Sequence, residues 1–345
     1  MNLTKNGDDI TVSGNMTSNE TDLTLSPTQH LKGNYSLITS RASLKGEFLQ
    51  YSGNIELDKA DITMAISDKQ TVKFTGKCTA LETKLSKDKD KIKAQSNLAL
   101  EAATVDFGNG MTFKDSPDIQ FSIEGDLSNV SQLIYKGFIN FADASLTGLP
   151  TVKTADHLKG HVAFETNTLN MDSISLQTLG TTLKIKGRLN DFTKPQADLE
   201  IETSSINLEN LNPLITEYVK DIKLDLSGQA QVTAKFKGDI AQPLEADLAI
   251  RSTFSDVNVV SDKLPDTLTK LSGTASYSKD EIQFQEVTGN FLKNDFSLNG
   301  KVSHFKSPTA NVQLIAQDFN ADIEVESVGQ HVQISKLNGK YFKSS

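Results

Sequence analysis

Hydrophobic and polar residues alternate with a period of two along almost the whole chain. Runs such as DITVSGNM, NIELDKADITM, TVKFTGK, SNLALEAATVDF, IQFSIEGDL, TLKIKGRL, ADLEIET, EIQFQEVTG, DFSLNGKV and ANVQLIA put every second side chain on one face. That face is apolar and the other carries Thr, Lys, Asp or Asn, the pattern of strands buried on one side only, hence mainly antiparallel. Gly, Asn-Gly, Asp-Lys or Pro-containing stretches recur at intervals of about eight to twelve residues and predict hairpin turns. Helical spacing is confined to Asn210–Ile222, with Pro213 near its start, and more weakly to Ser261–Gly273 behind Pro265. Both are expected to be short helices or coils joining strand blocks.

The pattern repeats. IEGDL around Gly125 matches FKGDI around Gly238, LKGHVAF around Gly160 matches LSGTASY around Gly273, and KIKGRLNDFTKP around Gly187 matches SLNGKVSHFKSP around Gly300, all at one offset. Phe192 with Phe305 and Pro195 with Pro308 keep the same spacing, so one strand order is laid down twice without insertions. A third copy begins at VQISKLNGKYFKSS, with Ile334 beside Phe284, Gly339 beside Gly289 and Phe342 beside Leu292. The expected organisation is a diverged β region over 1–118, one copy over 119–231, and a second copy with the start of a third over 232–345. Because the chain stops inside a copy and opens without an export signal, it is read as a fragment of something longer.

Composition narrows the function. Apolar residues make up 37% and charged residues 23% of the 345 positions, too much apolar content for disorder. A net charge of −9 excludes a partner held by phosphate neutralisation, so no nucleic acid is expected. The Lys-dense run Lys84–Lys93 is broken by Asp88 and Asp90 and reads as a solvated hairpin tip. A lone cysteine, Cys78, forms no internal disulfide. No run of apolar residues is long enough to span a membrane as a helix.

Catalytic chemistry is not legible. His157 and His161 have the i, i+4 spacing of zinc ligands on a helix, but Gly160 between them and the β pattern after them make them exposed histidines at a strand start. The acid pairs Asp8 with Asp9 and Asp280 with Glu281 fall at predicted turns. Phe284, Phe291 and Phe296 alternate as a sheet face does, and no cofactor or metal site is expected. A sugar-cleaving enzyme on a β scaffold would need carboxylates and stacking aromatics in one cleft, and the chain has no Trp.

A one-sided sheet of some twenty strands must cover its oily face, by a second sheet, by winding into a solenoid, or by curling into a trough. The coils of a parallel solenoid, about twenty residues each, are far shorter than this repeat, and no linker separates the copies as it would between independent sandwiches. In a trough, burial at about 0.8 kcal/mol per methylene gives an acyl chain of about a dozen carbons roughly 10 kcal/mol. The lining candidates are Ile174, Leu176, Leu183, Ile185, Leu199, Ile201, Phe284, Val287, Phe296, Leu298, Val312 and Leu314. The same residues would form the core of closed sandwiches in a structural or adhesive surface array that binds no ligand.

The segment Leu271–Ile323, LSGTASYSKDEIQFQEVTGNFLKNDFSLNGKVSHFKSPTANVQLIAQDFNADI, and its earlier copy resemble the C-terminal repeats of AsmA-like envelope proteins. A Leu-x-Gly strand, an alternating pair, a Gly, Asp or His before Phe, and a Pro ahead of another alternating strand carry the likeness. It is good over Gln120–Ile323 and only architectural before that. The resemblance implies an all-β, elongated, taco-like groove in the periplasm and a non-enzymatic role in moving phospholipid towards the outer membrane. It also implies an N-terminal helix in the parent protein that anchors it to the inner membrane, an element this sequence lacks.

Overall fold

The computed structural model describes residues 1–26, 29–67, 70–108, 110–149, 152–191, 194–218, 223–242, 245–305, 307–316, 319–328 and 331–341. Among them the fold is all-β, with 22 strands assigned to one antiparallel sheet. The chain divides into two compact units, residues 1–177 with 188–193, and residues 178–187 with 194–345. The division falls inside the first full copy of the repeat.

The first unit contains β1 (Asn2–Asn6), β2 (Asp9–Ser26), β3 (Gln29–Lys45), β4 (Phe48–Ser67), β5 (Gln70–Asp88) and β6 (Lys91–Asp106). It continues with β7 (Thr112–Asp115), β8 (Asp118–Asp126), β9 (Ile134–Leu149), β10 (Lys153–Glu165) and most of β11 (Thr168–Thr178). Each pairs with its sequence neighbour, except that β7 and β8 lie end to end between β6 and β9. The break between β7 and β8 falls at Ser116 and Pro117, where proline has no N–H to give to a ladder.

Most of strand β12 (Thr181–Asn190), up to Gly187, belongs to the second unit, followed by β13 (Gln196–Thr203), β14 (Ile206–Asn207), a 3₁₀ turn over Leu208–Leu211 capped by Asn207, and the helix α1 (Asn212–Tyr218). Then come β15 (Leu224–Asp239), β16 (Asp247–Ser261), β17 (Leu268–Ser278), β18 (Glu281–Phe291), β19 (Asn294–Ser303), β20 (Thr309–Ala316), β21 (Phe319–Val328) and β22 (His331–Tyr341). From β15 onward each strand pairs with the next, while β13 and β14 share β15 as neighbour.

Two expectations are refined. The segment Ser261–Gly273, expected as a short helix or coil, is a turn over Asp262–Asp266 and then strand, because Leu268 and Leu271 pair with Val259 and Val257 on the neighbouring strand. The turns expected every eight to twelve residues are absent from β2 to β6, whose strands run 16–20 residues. Gly33, Gly53, Gly76 and the pair Asp58 and Lys59 lie inside strands, at or beside shifts of register. The expected helix over 210–222 is seen as α1 preceded by the 3₁₀ turn; Val219 and Ile222 lie outside the described residues, as do Phe192 and Phe342.

Six of the register shifts are built alike. One residue enters the left-handed region, and a polar side chain from the neighbouring strand or the break beside it accepts its N–H. Asn34 Oδ1 accepts from Glu20, Asn54 from Glu82, Ser116 Oγ from Ala102, Ser272 Oγ from Asp256, Asn258 from Lys270 and Asn299 from Glu286, at 2.7–3.2 Å. The following residue is often among the best buried: Ala103 at 1%, Val257 at 6% and Val287 at 5% exposure. Each bulge bends its strand, and bulges on adjacent strands crease the sheet. The close approach at a crease excludes a side chain. A Cβ on Gly273, φ +151°, would lie 2.7 Å from the Cα of Val287.

The repeat is visible in local geometry. Strands β11 and β18, and β13 and β20, have bounds separated by the same offset as the glycine landmarks. Left-handed residues keep it too: His157 and Lys270, Thr166 and Lys279, Leu179 and Leu292, Asp191 and His304.

Candidate functional site

Directly opposed residues in an antiparallel ladder point to the same face, so the ladders show which candidates share a surface. In the second unit Ile201, Ala234, Ile250, Tyr277, Ile282, Val302, Ala310 and Val325 form one cross-strand row. Val232, Ser252, Ala275, Phe284, Gly300, Val312 and Ile323 form the next. Leu199 opposes Phe236, Val287 opposes Leu298, Leu298 opposes Leu314, and Phe296 opposes Gly289 and Ala316, all on this face. Leu183 and Ile185 alternate with Lys184 and Lys186; Lys186 is ion-paired at 3.0 Å with Glu200, between Leu199 and Ile201, so the apolar neighbours of both strands share the other side.

In the first unit Ile174 opposes Gly160 and Leu176 follows on the same face. That face continues through residues that were not among the expected lining. Leu37, Ile55, Ala80, Leu98, Ile119, Ile139 and Val162 form a single row from β3 to β10. Cys78 lies between Leu57 and Leu100, where burial pushes its thiol pKa up.

Burial decides what kind of face this is. Ile174 at 6% and Val287 at 5% exposure are buried, and the other ten lining candidates remain partly exposed. No large side chain is fully buried among the described residues, and the best-buried strand positions are mostly alanines. A compact monomer of 37.6 kDa exposes roughly 14,000 Å², and two separate compact bodies of half that mass roughly 17,000 Å². This chain exposes 21851 Å². A sealed sandwich core would bury the alternating Leu, Ile and Phe; here most of them keep part of their surface accessible, and Leu208 and Leu211 of the 3₁₀ turn cover the apolar face only around Ala230, Phe254 and Val257.

Open hollows are described on both faces. Phe296 borders an open hollow of about 620 Å³ with Lys270, Asp295 and Ala316, and it alone of the twelve candidates borders a described cavity. Cavities of about 510, 360 and 350 Å³ sit on the polar face of the first unit.

The titratable groups make local contacts. His157 Nδ1 lies 2.9 Å from Asp143, whose carboxyl is held below its ordinary 3.8 first by that hydrogen bond and then by the charges of His157 and Lys159. His161 Nδ1 meets Asn140 Oδ1 at 2.7 Å. Glu281 accepts from Ser303 Oγ and Lys301 Nζ, which lower its carboxyl in that order, and Asp280 accepts the N–H of Phe305. Among the described residues no three His, Cys, Asp or Glu side chains converge as a metal site. The turn between β5 and β6 holds Lys89 and Asp90, at the tip of the Lys-dense run.

Comparison of the chain with protein-family models, with curated proteins and with solved structures finds no match.

Proposed function

We propose that the chain is a non-enzymatic lipid-binding segment of an AsmA-like envelope protein, holding acyl chains against the apolar faces of its creased strands. In this reading the parent protein works in the periplasm, anchored to the inner membrane, and passes phospholipid towards the outer membrane. The observation that supports it is the partial exposure of apolar rows seven and eight strands wide, joined to the absence, among the described residues, of any large side chain sealed from water. Water-exposed hydrocarbon of this extent is costly, and an acyl chain lying across it recovers about 0.8 kcal/mol per methylene. The gain is non-directional and similar at every strand, so the guest meets no deep trap and the segment needs no catalytic group. The likeness of Gln120–Ile323 to AsmA-like repeats points the same way.

The test is denaturing mass spectrometry of natively purified protein. Co-purified phospholipid, reduced in the double variant Leu183→Asp, Ile185→Asp, is the expected result. Lipid-free wild type, or unchanged lipid in a folded double variant, contradicts the proposal and favours a ligand-free adhesive array.

A further inference from the structure

The polar face of the first unit carries a feature that its solvated character does not require. Most of that face is Thr, Ser, Lys and Asp, but around β5 to β11 it forms a cavity of about 510 Å³, within the roughly 300–1,000 Å³ of small-molecule sites. Its central row runs directly across the strands: Asn97 opposes Gln120, Gln120 opposes Phe138, Phe138 opposes Ala163 and Ala163 opposes Asn170. Successive members are therefore about 5 Å apart on one face of the sheet. Gln120 Nε2 donates to Asn97 Oδ1 at 2.9 Å, and Asn97 Nδ2 donates to Glu82 at 3.3 Å, which fixes the orientation of both amides. Phe138 is held from the side by His161, with ring centroids 5.1 Å apart, and His161 is itself tied to Asn140.

We infer that this cavity is a binding site for an uncharged saccharide, seated against Phe138 and held by the ordered amides of Asn97 and Gln120. Amides offer donors and acceptors side by side, which suits vicinal hydroxyls that do both. The phenyl ring supplies an apolar platform for the C–H face of a pyranose. Charge sets the class: the lining carries Glu82 and Glu165 against Lys136, a net negative wall that disfavours phosphate, sulfate or uronate groups. An acyl chain is excluded by the same polar surface, since its methylenes would displace water from amides and carboxylates without replacing the hydrogen bonds. The site lies on the face opposite the proposed lipid surface and stands or falls independently of it.

The experiment is saturation-transfer NMR and calorimetry on the full chain with a panel of neutral tetrasaccharides, glucose-, galactose-, mannose- and N-acetylglucosamine-based, beside sulfated counterparts. Binding of at least one neutral member at millimolar concentration or tighter is expected, weakened about tenfold in Gln120→Ala, which removes a hydrogen-bonding group, and abolished in Phe138→Ala. Gln120 is exposed on the solvated face, so its variant keeps the test valid if Phe138→Ala does not fold. Absence of binding across the panel, preference for the sulfated sugars, or affinity unchanged in a folded Gln120→Ala overturns the inference.

Discussion

Strands β2 to β6 and strands β17 to β19 use the same device in different amounts. In the first region β3 pairs with β4 in runs of four, six and five residues separated by two shifts of register. In the second, β18 pairs with β19 in runs of four and five separated by one. A strand of about 20 residues drawn straight would extend roughly 65 Å; the long strands are instead the short creased unit with one more segment added. The longer strands are thus made by adding register shifts, and several of these, at Glu20, Glu82 and Ala102, carry an Asn or Ser side chain bonded to the left-handed residue. Strand β20 is the counterexample within the second unit: its pairings to β19 and β21 have no shift at all, so creasing is a local property of particular residues.

That comparison is broken most strongly by filling a crease. Gly273→Val adds a Cβ where the backbone is left-handed and the neighbouring Cα is 2.7 Å away, and should cost at least about 1–3 kcal/mol from backbone strain alone. Gly7→Ala, also left-handed at φ +60° but at a hairpin tip with open space around it, meets no neighbour and should cost only the backbone's about 1–2 kcal/mol. Urea denaturation of the two variants checks the contrast. Equal midpoints would show that the creases are incidental.

Removing the polar clamp should be milder. Asn299→Ala deletes the acceptor that Glu286 N–H meets at 2.7 Å, and Asn54→Ala deletes the one that Glu82 N–H meets at 2.9 Å. Each should lower stability by about 1 kcal/mol. The two sites lie in different units, so their effects should add in the double variant, measured in the same denaturation series.

The smallest effect is acid dependence. Asp143 and Glu281 have carboxyls depressed below their ordinary 3.8 and 4.5. A depressed carboxylate contributes stability that is fully present above its unfolded value and lost as pH falls through the lower folded one. Stability should therefore decline below about pH 4.5 for the β18 to β19 hairpin and below about pH 3.8 for the β9 to β10 pair. Asp143→Asn and Glu281→Gln should each flatten that decline in hydrogen exchange of their own strands.

Much of this architecture was legible in the alternation of side chains. Ile282 and Phe284, or Val312 and Leu314, announce their face by parity alone, and the constant offset that links Gly187 to Gly300 anticipated strand bounds such as those of β11 and β18 to the residue. The creases were not legible, because the residues that adopt the left-handed conformation, Glu20, Lys59, Glu82 and Glu286, carry no mark of it. The signal sits on the adjoining strand, as Gly33 with Asn34, Gly53 with Asn54 or Asn299 with Gly300, and it reads as a turn until pairing is known. The same ambiguity hid the length of β2 to β6 and with it the apolar row through Ile55 and Leu98. The polar cavity escaped for a related reason: Asn97, Gln120 and Phe138 are far apart in the chain and meet only through register.

The account rests on the accessibility of one sheet face to hydrocarbon. A photoreactive phenylalanine analogue placed at position 314, on the apolar face, and separately at 313, on the polar one, reads this directly when the protein is irradiated in cells and analysed for lipid adducts. Leu314 should give a phospholipid adduct and Gln313 none. Adducts at neither position, or equally at both, would contradict it.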